Sequence, residues 1–566
     1  MTQIDNSAAA TPPASRLALL AWISLILATL YICYFHNLGA IGFVGPDEPR
    51  YAWIARDMVE TGDWVTPRLY GKPWFEKPVL YYWAAALSFK LFGVSEAAAR
   101  FPSALSALFA TLAMAWLALR VYGTETARWL LLLLPTTVGM IGFSHAAATD
   151  MPFAAMLAIA MVCAARLLGL VPGSSTSFTS FLFGLFLGLA VLAKGPAAIV
   201  LSGGAVLLWA VFTKRWRDAF RCLHPIAIAA FCLTALPWYI LCSRRNPDFF
   251  RTFIIEHNFK RYLTPEFRHI QPFWFYIPIL LIAFAPWTLA LLWSTVYGSL
   301  SSWRKKHIPP LTLFLLSWAL FCLLFFSASK SKLPGYLLPT LPAIGLLLAR
   351  SYVSFRAREE KSFRWLLNGW TILSLPTGLF LLLAGWKIRL HGTSGPALIA
   401  VACILLLFAL ANLLLTIRRT TRSAGFDPAL LCVLPVFLIL LVFHTLSRPW
   451  LPWDPSGRTL ACELVANQIT QAQIYTGRMP RGQQLSLNFY LHSEVDDWSE
   501  DSPREGYLLL YRKDCQSYVK PPWTCVGEPV ELRASGWFVY RVERSASVDG
   551  LGGSGNGGDR GGRQPR

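Results

Sequence analysis

Ionisable side chains are scarce in this chain. Of 566 residues, 14% are charged and 55% hydrophobic, and the mean hydropathy is positive at +0.46. A soluble domain carries about 25% charged residues, so the shortfall excludes one large soluble core and points to an integral membrane protein. Acids are the scarcer sign, with 31 Asp and Glu against 51 Lys and Arg, a formal net charge of +20. In a soluble protein that excess would suggest a nucleic-acid partner. Here the Lys and Arg fall mainly between hydrophobic stretches, where orientation in the bilayer and anionic membrane lipids account for them, so nucleic acid is set aside. A small-residue cleavage site is also missing after the first apolar run, Arg16 to Phe35, which therefore reads as a retained span rather than a signal peptide. Most of the eleven cysteines sit inside apolar runs, as Cys33, Cys163, Cys232, Cys322, Cys403 and Cys432 do, and behave there as small hydrophobes. Cys515 and Cys525 lie close together in a polar segment and pair if that segment faces an oxidising compartment, which leaves Cys462 over.

What the chain does have is a long series of hydrophobic runs. After the first come runs at roughly 102–119, 127–147, 151–169, 178–194, 196–212, 225–242, 273–297, 309–327, 334–349, 365–385, 396–417 and 428–446, about thirteen spans in all. Basic clusters at Lys214 to Arg217, Arg304 to Lys306, Arg356 to Arg364 and Arg418-Arg419 fall in every second connection and read as cytoplasmic. Residues 1–15 then form a cytoplasmic N-terminal segment, 16–446 the membrane domain, and 447–544 an outward, periplasmic α/β domain, followed by a disordered tail over 545–566. In the C-terminal domain, Leu460 to Ala472 reads as a helix. Leu485 to Leu491, Gly506 to Tyr511 and Gly536 to Val542 read as strands. Between the first two spans, residues 47–92 are too charged to cross. Ala52, Trp53, Ala55, Met58 and Val59 share one helical face while Arg56, Asp57 and Glu60 take the other, the pattern of a helix lying in the interface; Val79 to Phe92 reads as a second.

This topology gathers the rare charges on one side. Asp47, Glu48, Glu76 and Asp150 are its acids, Arg50, Lys77, Lys194, Arg261, Lys330 and Lys332 its cations, with His257 between the two sets. Adjacent carboxylates at a membrane surface need a partner, a hydrogen-bond cage or a task. Acids there can orient or deprotonate an acceptor, while clustered Lys and Arg hold phosphate. For any single cation the competing reading is a snorkelling headgroup contact. In Lys332-Leu-Pro-Gly-Tyr336 the proline breaks the helix and exposes backbone, and Lys332 and Tyr336 offer donors, a reasonable phosphate cradle. Glu76 with His257 is the one candidate pair for a metal such as zinc, although neither spacing is a metal motif.

Asp47-Glu48 with Tyr51, Ala148-Thr149-Asp150-Met151-Pro152, Leu192-Ala193-Lys194-Gly195-Pro196, Glu256-His257-Asn258-Phe259 and Lys332-Leu-Pro-Gly-Tyr336 together resemble the bacterial polyprenyl-phosphate glycosyltransferases of the GT-C class, relatives of the protein O-mannosyltransferases. Phe75-Glu76-Lys77-Pro78 and the overall length are most similar to the aminoarabinose transferases that modify lipid A. The resemblance covers residues 16 to about 450. It implies a GT-C fold, an undecaprenyl-phosphate-linked sugar donor and inverting transfer to a lipid A phosphate, with no cofactor needed for the chemistry. It further implies polymyxin resistance, and a multi-pass protein of the bacterial inner membrane whose active site faces the periplasm. On it, Asp47, Asp150 and Glu48 are the catalytic acids. Lys77, Arg261, Lys332 and Tyr336 lie near the donor phosphate, and Arg50, Tyr51, Lys194 and Lys330 line the substrate. A protein O-mannosyltransferase-like or other polyprenyl-phosphate-sugar transferase remains an alternative, as does a lipid or sugar transporter; against the transporter, neither paired inverted halves nor helices broken at mid-membrane depth are visible in the pattern.

Overall fold

The computed structural model describes residues 16–173, 176–263, 270–295, 308–357, 456–469, 473–499, 505–511, 515, 517–520 and 523–544, with short pieces between 379 and 441. The expected spans at 365–385, 396–417 and 428–446, and the tail 545–566, lie largely or wholly outside them. By contact density the chain forms two units, Met1–Ile41 with Arg50–Pro452, and Gly42–Pro49 with Trp453–Arg566.

The first unit is helical. In order come α1 (Arg16–Tyr34), α2 (Asp47–Thr61, whose first residues belong to the second unit), α3 (Leu80–Phe92), α4 (Glu96–Tyr122), α5 (Thr124–Leu133), α6 (Val138–Ser144), α7 (Asp150–Leu167), α8 (Ser177–Lys194), α9 (Ala197–Thr213), α10 (Pro225–Arg245), α11 (Pro310–Ala328) and α12 (Leu341–Ala357). Among the described residues seven helices are long and apolar enough to cross a membrane, α9 is a shorter apolar one, and two helix pairs are sharply bent. The apolar runs at 127–147 and 273–297 are bent, by 63° between α5 and α6 and by 119° between Phe273–Ala283 and Thr288–Thr295. Pro135 and Pro286 supply no N–H to a helical ladder at these breaks.

The bundle is organised on α7, 83% of whose apolar window is buried. Its alanines at 154, 155, 158, 160, 164 and 165 are all buried, and side chains that small let neighbouring helices approach closely. Helix α2 buries Ala52, Ile54, Ala55 and Met58 completely and leaves Glu60 exposed, paired to Arg56 at 2.7 Å. The loop after α2 is fastened to two helices: Trp83 on α3 donates to the Trp64 carbonyl at 2.8 Å and Trp238 on α10 to the Val65 carbonyl at 3.0 Å. Asp63 closes this loop, accepting from Arg68 at 2.6 Å, Arg245 at 3.1 Å and the amides of Val65 and Thr66.

In the second unit a five-stranded sheet runs in the order β4–β3–β5–β7–β6, where β3 is Ile474–Thr476, β4 Asp496–Asp497, β5 Gly506–Leu510, β6 Trp523–Leu532 and β7 Trp537–Arg544; β1 (Arg68–Leu69) and β2 (Lys72–Pro73) form a small hairpin in the first unit. Helices α13 (Arg458–Ala466) and α14 (Arg481–Leu491) accompany the sheet. The α14 segment corrects the strand expected at 485–491. Ser486, Leu487, Asn488 and Phe489 are buried in succession, which a strand with one solvated face does not allow. Cys515 and Cys525 are joined as a disulfide, and Cys462 is free.

Burial alone would raise the Asp63 carboxyl, but the hydrogen bonds from Arg68, Val65 and Thr66 prevail and hold it below its usual value. A depressed folded pKa gives stability that is present above the unfolded value of about 4 and lost as pH falls through the folded one. Asp63→Asn should lower the melting temperature of the detergent-solubilised protein at pH 7 by ~2 °C or more. The gap to the unsubstituted protein should close on acidification below about pH 4. A gap that stays constant over that range would show that Asp63 does not titrate with folding.

Candidate active site

Asp150 is the first residue of α7 and Lys194 the last of α8. A carboxylate is favoured at a helix N-terminus and an ammonium at a C-terminus, so each charge sits at the end of its helix that the dipole favours. The two helices run in opposite directions, which brings these ends together: Lys194 Nζ donates to Asp150 Oδ1 at 2.5 Å, with the side chains 11% and 21% exposed. Lys194 also lies over the Tyr336 ring, 4.6 Å from its centre. Between them passes Gly335, where a Cβ would stand 2.6 Å from Asp150 Oδ1 and 2.9 Å from Phe143, so the Leu-Pro-Gly-Tyr turn needs glycine to come this near. Three sequence signals far apart in the chain thus meet at one place.

A second charged group adjoins it. Glu76 accepts from Arg50 at 2.9 Å and Lys77 at 3.3 Å, and Arg50 stacks over Trp74. A cavity of about 400 Å³ has Glu76, Lys77, Lys194, His257 and Tyr336 in its lining, and its apolar lining includes Val200, Leu263, Phe325 and Phe326. Glu76 and His257 also line a neighbouring cavity of about 490 Å³ together with Trp74, Arg245 and Asn246. Lys77 and Lys194, each bonded to a carboxylate, thus stand beside an apolar hollow. That combination suits an amphipathic anion.

Several expected residues are placed otherwise. Lys332 is 6% exposed, and its ammonium donates to the backbone carbonyls of Ser329 at 2.6 Å and Gln271 at 3.1 Å. Burial lowers its pKa, with Lys330 adding to the effect, and it acts as a cap on the broken chain rather than as a phosphate ligand. Tyr51 is 2% exposed and packs between Tyr81 and Tyr82, so it belongs to the core rather than to a substrate surface. Lys330 is exposed and absent from the cavity lining. Arg50 reaches Glu76 instead of open space, and the Arg261 side chain lies outside the described residues. Asp47 and Glu48 open α2 and fall in the second unit, where Glu48 is 8% exposed and accepts from the Val44 amide at 2.9 Å. As a metal site, Glu76 with His257 does not fit, since two cations already hold the carboxylate, and among the described residues no three His, Cys, Asp or Glu side chains converge. Phe325, Phe326 and Gly335 were not assigned to the site from the sequence; the Phe-Phe pair ending α11 was the signal available.

A family model described as dolichyl-phosphate-mannose-protein mannosyltransferase matches residues 19–253. The undecaprenyl phosphate-alpha-4-amino-4-deoxy-L-arabinose arabinosyl transferase of Serratia proteamaculans (strain 568) is 32% identical over 430 residues, 73% of this chain and 75% of that protein. The chain belongs to this arabinosyl transferase family. The Enterobacter sp. (strain 638) relative is 33% identical over 353 residues, 61% of this chain and 62% of that protein, so the chain spans less than two thirds of its length. The crystal structure of ArnT from Cupriavidus metallidurans bound to undecaprenyl phosphate superimposes with a TM-score of 0.73 at 23% identity, covering 95% of this chain and 100% of that one. The chain thus has the fold of a multi-pass GT-C membrane protein with a small C-terminal sheet domain.

If Lys332 serves carbonyls, Lys332→Ala leaves the buried Ser329 carbonyl without this donor, at about 1–3 kcal/mol, and the part-buried Gln271 carbonyl at less. The purified variant should therefore melt at a lower temperature; an unchanged melting temperature would show that these carbonyls do not depend on Lys332.

Proposed function

We propose that the protein transfers 4-amino-4-deoxy-L-arabinose from undecaprenyl phosphate to a phosphate of lipid A. The reading places it in the bacterial inner membrane with its site on the periplasmic side. The observation that carries it is the cavity in which Lys77, Lys194 and Tyr336 share a lining with Phe325, Phe326 and Leu263. A polyprenyl phosphate needs both, since its chain belongs in an apolar hollow and its headgroup beside ammonium groups. Family membership supports the same donor.

On this reading the transfer is a single displacement. An oxygen of the acceptor phosphate attacks the anomeric carbon from the face opposite the donor phosphate. The bond from that carbon to the donor phosphate breaks, and undecaprenyl phosphate leaves with the electron pair. Configuration inverts. The acceptor phosphate is already ionised, so no base has to remove a proton from it. Lys77 neutralises charge growing on the leaving phosphate. Asp150 holds Lys194 in line for the same task through their ion pair. Asp47, three residues before Arg50 on the same helix, is suited to hold the amino group of the sugar. Glycosylation of its phosphate lowers the negative charge of lipid A, and with it the affinity for polymyxin and similar cationic peptides.

Purified protein given labelled undecaprenyl-phosphate aminoarabinose should label lipid A and not a Ser- or Thr-bearing peptide; labelled peptide would favour a mannosyltransferase-like enzyme, and translocation of donor without transfer a transporter. Asp47→Asn and Asp150→Asn should each abolish transfer in protein that still inserts and folds. Lys77→Ala removes a charge-assisted phosphate contact of about 1.5–3 kcal/mol, so undecaprenyl phosphate should bind it ten-fold or more weakly. Unchanged affinity would move the phosphate away from this cavity.

A further inference from the structure

The stretch that leads into Asp47 is built into the C-terminal domain. Phe43 is fully buried there, with its ring centre 4.8 Å from that of Phe489, edge to face, and 6.1 Å from that of Tyr490. Its backbone is gripped as well: the Phe43 amide donates to the Tyr490 hydroxyl at 3.1 Å, and its carbonyl accepts from the Ser486 hydroxyl at 3.1 Å. All three partners are on α14, so one helix holds both polar backbone groups and the side chain of one loop residue. The approach is close on either side. A Cβ on Gly42 would stand 2.1 Å from the Ser456 hydroxyl oxygen and 2.6 Å from its Cβ, and one on Gly482 would stand 2.9 Å from the Gly45 backbone. One residue past Gly45–Pro46 the chain turns into α2, with the Val44 amide bonded to Glu48 across the turn.

We propose that the C-terminal domain is a positioning element for Asp47, acting through the clamp of Phe43 by α14. Asp47 lies four residues beyond Phe43, with its carboxylate on the first residue of a helix whose start the clamp fixes. A loop free at Phe43 would let that carboxylate wander by ångströms, enough to slow a transfer whose reacting groups must meet in line. The described residues that line the donor cavity all belong to the membrane unit. The domain should therefore govern turnover and leave donor binding alone. The inference rests on the reading of Asp47 as an acid of the site.

Gly42→Ala tests it by forcing the loop off Ser456. Turnover should fall at least ten-fold, while the affinity for undecaprenyl phosphate stays as it was. Adding Ser456→Gly, which removes the two nearest atoms, should restore most of the turnover. Tyr490→Phe is the milder variant: it removes one hydrogen bond, and kcat should drop a few-fold with the KM for donor unchanged. Full turnover in both Gly42→Ala and Tyr490→Phe overturns the clamp, as does a loss of kcat matched by an equal loss of undecaprenyl phosphate affinity. Asp47→Asn, measured alongside, separates the two claims. If it remains active, the reading of Asp47 is at fault; if it is inert while Gly42→Ala is fully active, the clamp alone is wrong.

Discussion

Most of the candidate site depends on one ion pair. Asp150 and Lys194 end two adjacent helices at the same level, each at the terminus its charge prefers, and each reduces the cost of keeping the other ionised away from water. Gly335 and Tyr336 pack onto the pair, and with them comes the chain that closes the cavity. Removing one partner of such a pair would leave an uncompensated charge, at about 3–5 kcal/mol for a fully buried one. The partial exposure of Asp150 makes the cost here smaller and leaves room for a ligand to share the charge.

The cations of this face divide by what they are bonded to. Arg100 donates to the carbonyls of Leu38 and Ile41 at 2.8 and 2.7 Å, and Lys332 to those of Ser329 and Gln271. Both carry positive charge into the protein to satisfy backbone where helices break, in a chain whose surroundings offer little water. Lys77 and Lys194 are held by carboxylates on one side and line the cavity on the other. An ammonium has three donors, so one carboxylate contact leaves capacity for a phosphate.

The C-terminal domain takes in a short piece of the N-terminal half of the chain. Its sheet and α13–α14 have their own core, in which Leu460, Leu487, Leu509 and Val539 meet. The short stretch Gly42–Pro49 crosses into that unit and returns as α2.

Hydrophobic run lengths determined by themselves that the chain is a polytopic membrane protein, because crossing a bilayer demands about twenty apolar residues whatever the neighbours are. Residue order also gave the helical face of α2 that Ala52, Ala55 and Met58 bury, since apolar residues recur there at helical spacing. The clustering of Asp47, Asp150, Lys77 and Lys194 in the connections between apolar runs made them candidates, because a charge near the bilayer needs a partner or a task. What each charge touches was decided by tertiary structure alone. Lys332 and Lys194 look alike in the sequence, each beside a Pro-Gly or Gly-Pro break, yet one caps carbonyls and the other faces a carboxylate and a cavity. Tyr51 and Tyr336 likewise part ways, one into the core and one onto the site. The strand expected at 485–491 became a helix because its polar residues Ser486 and Asn488 had partners to bury against, Ser486 the carbonyl of Phe43 and Asn488 the amide of Val495. Periodicity reports which side chains avoid water; a hydrogen bond supplied from 443 residues away satisfies a polar group by another route, and only the folded chain brings that partner within reach.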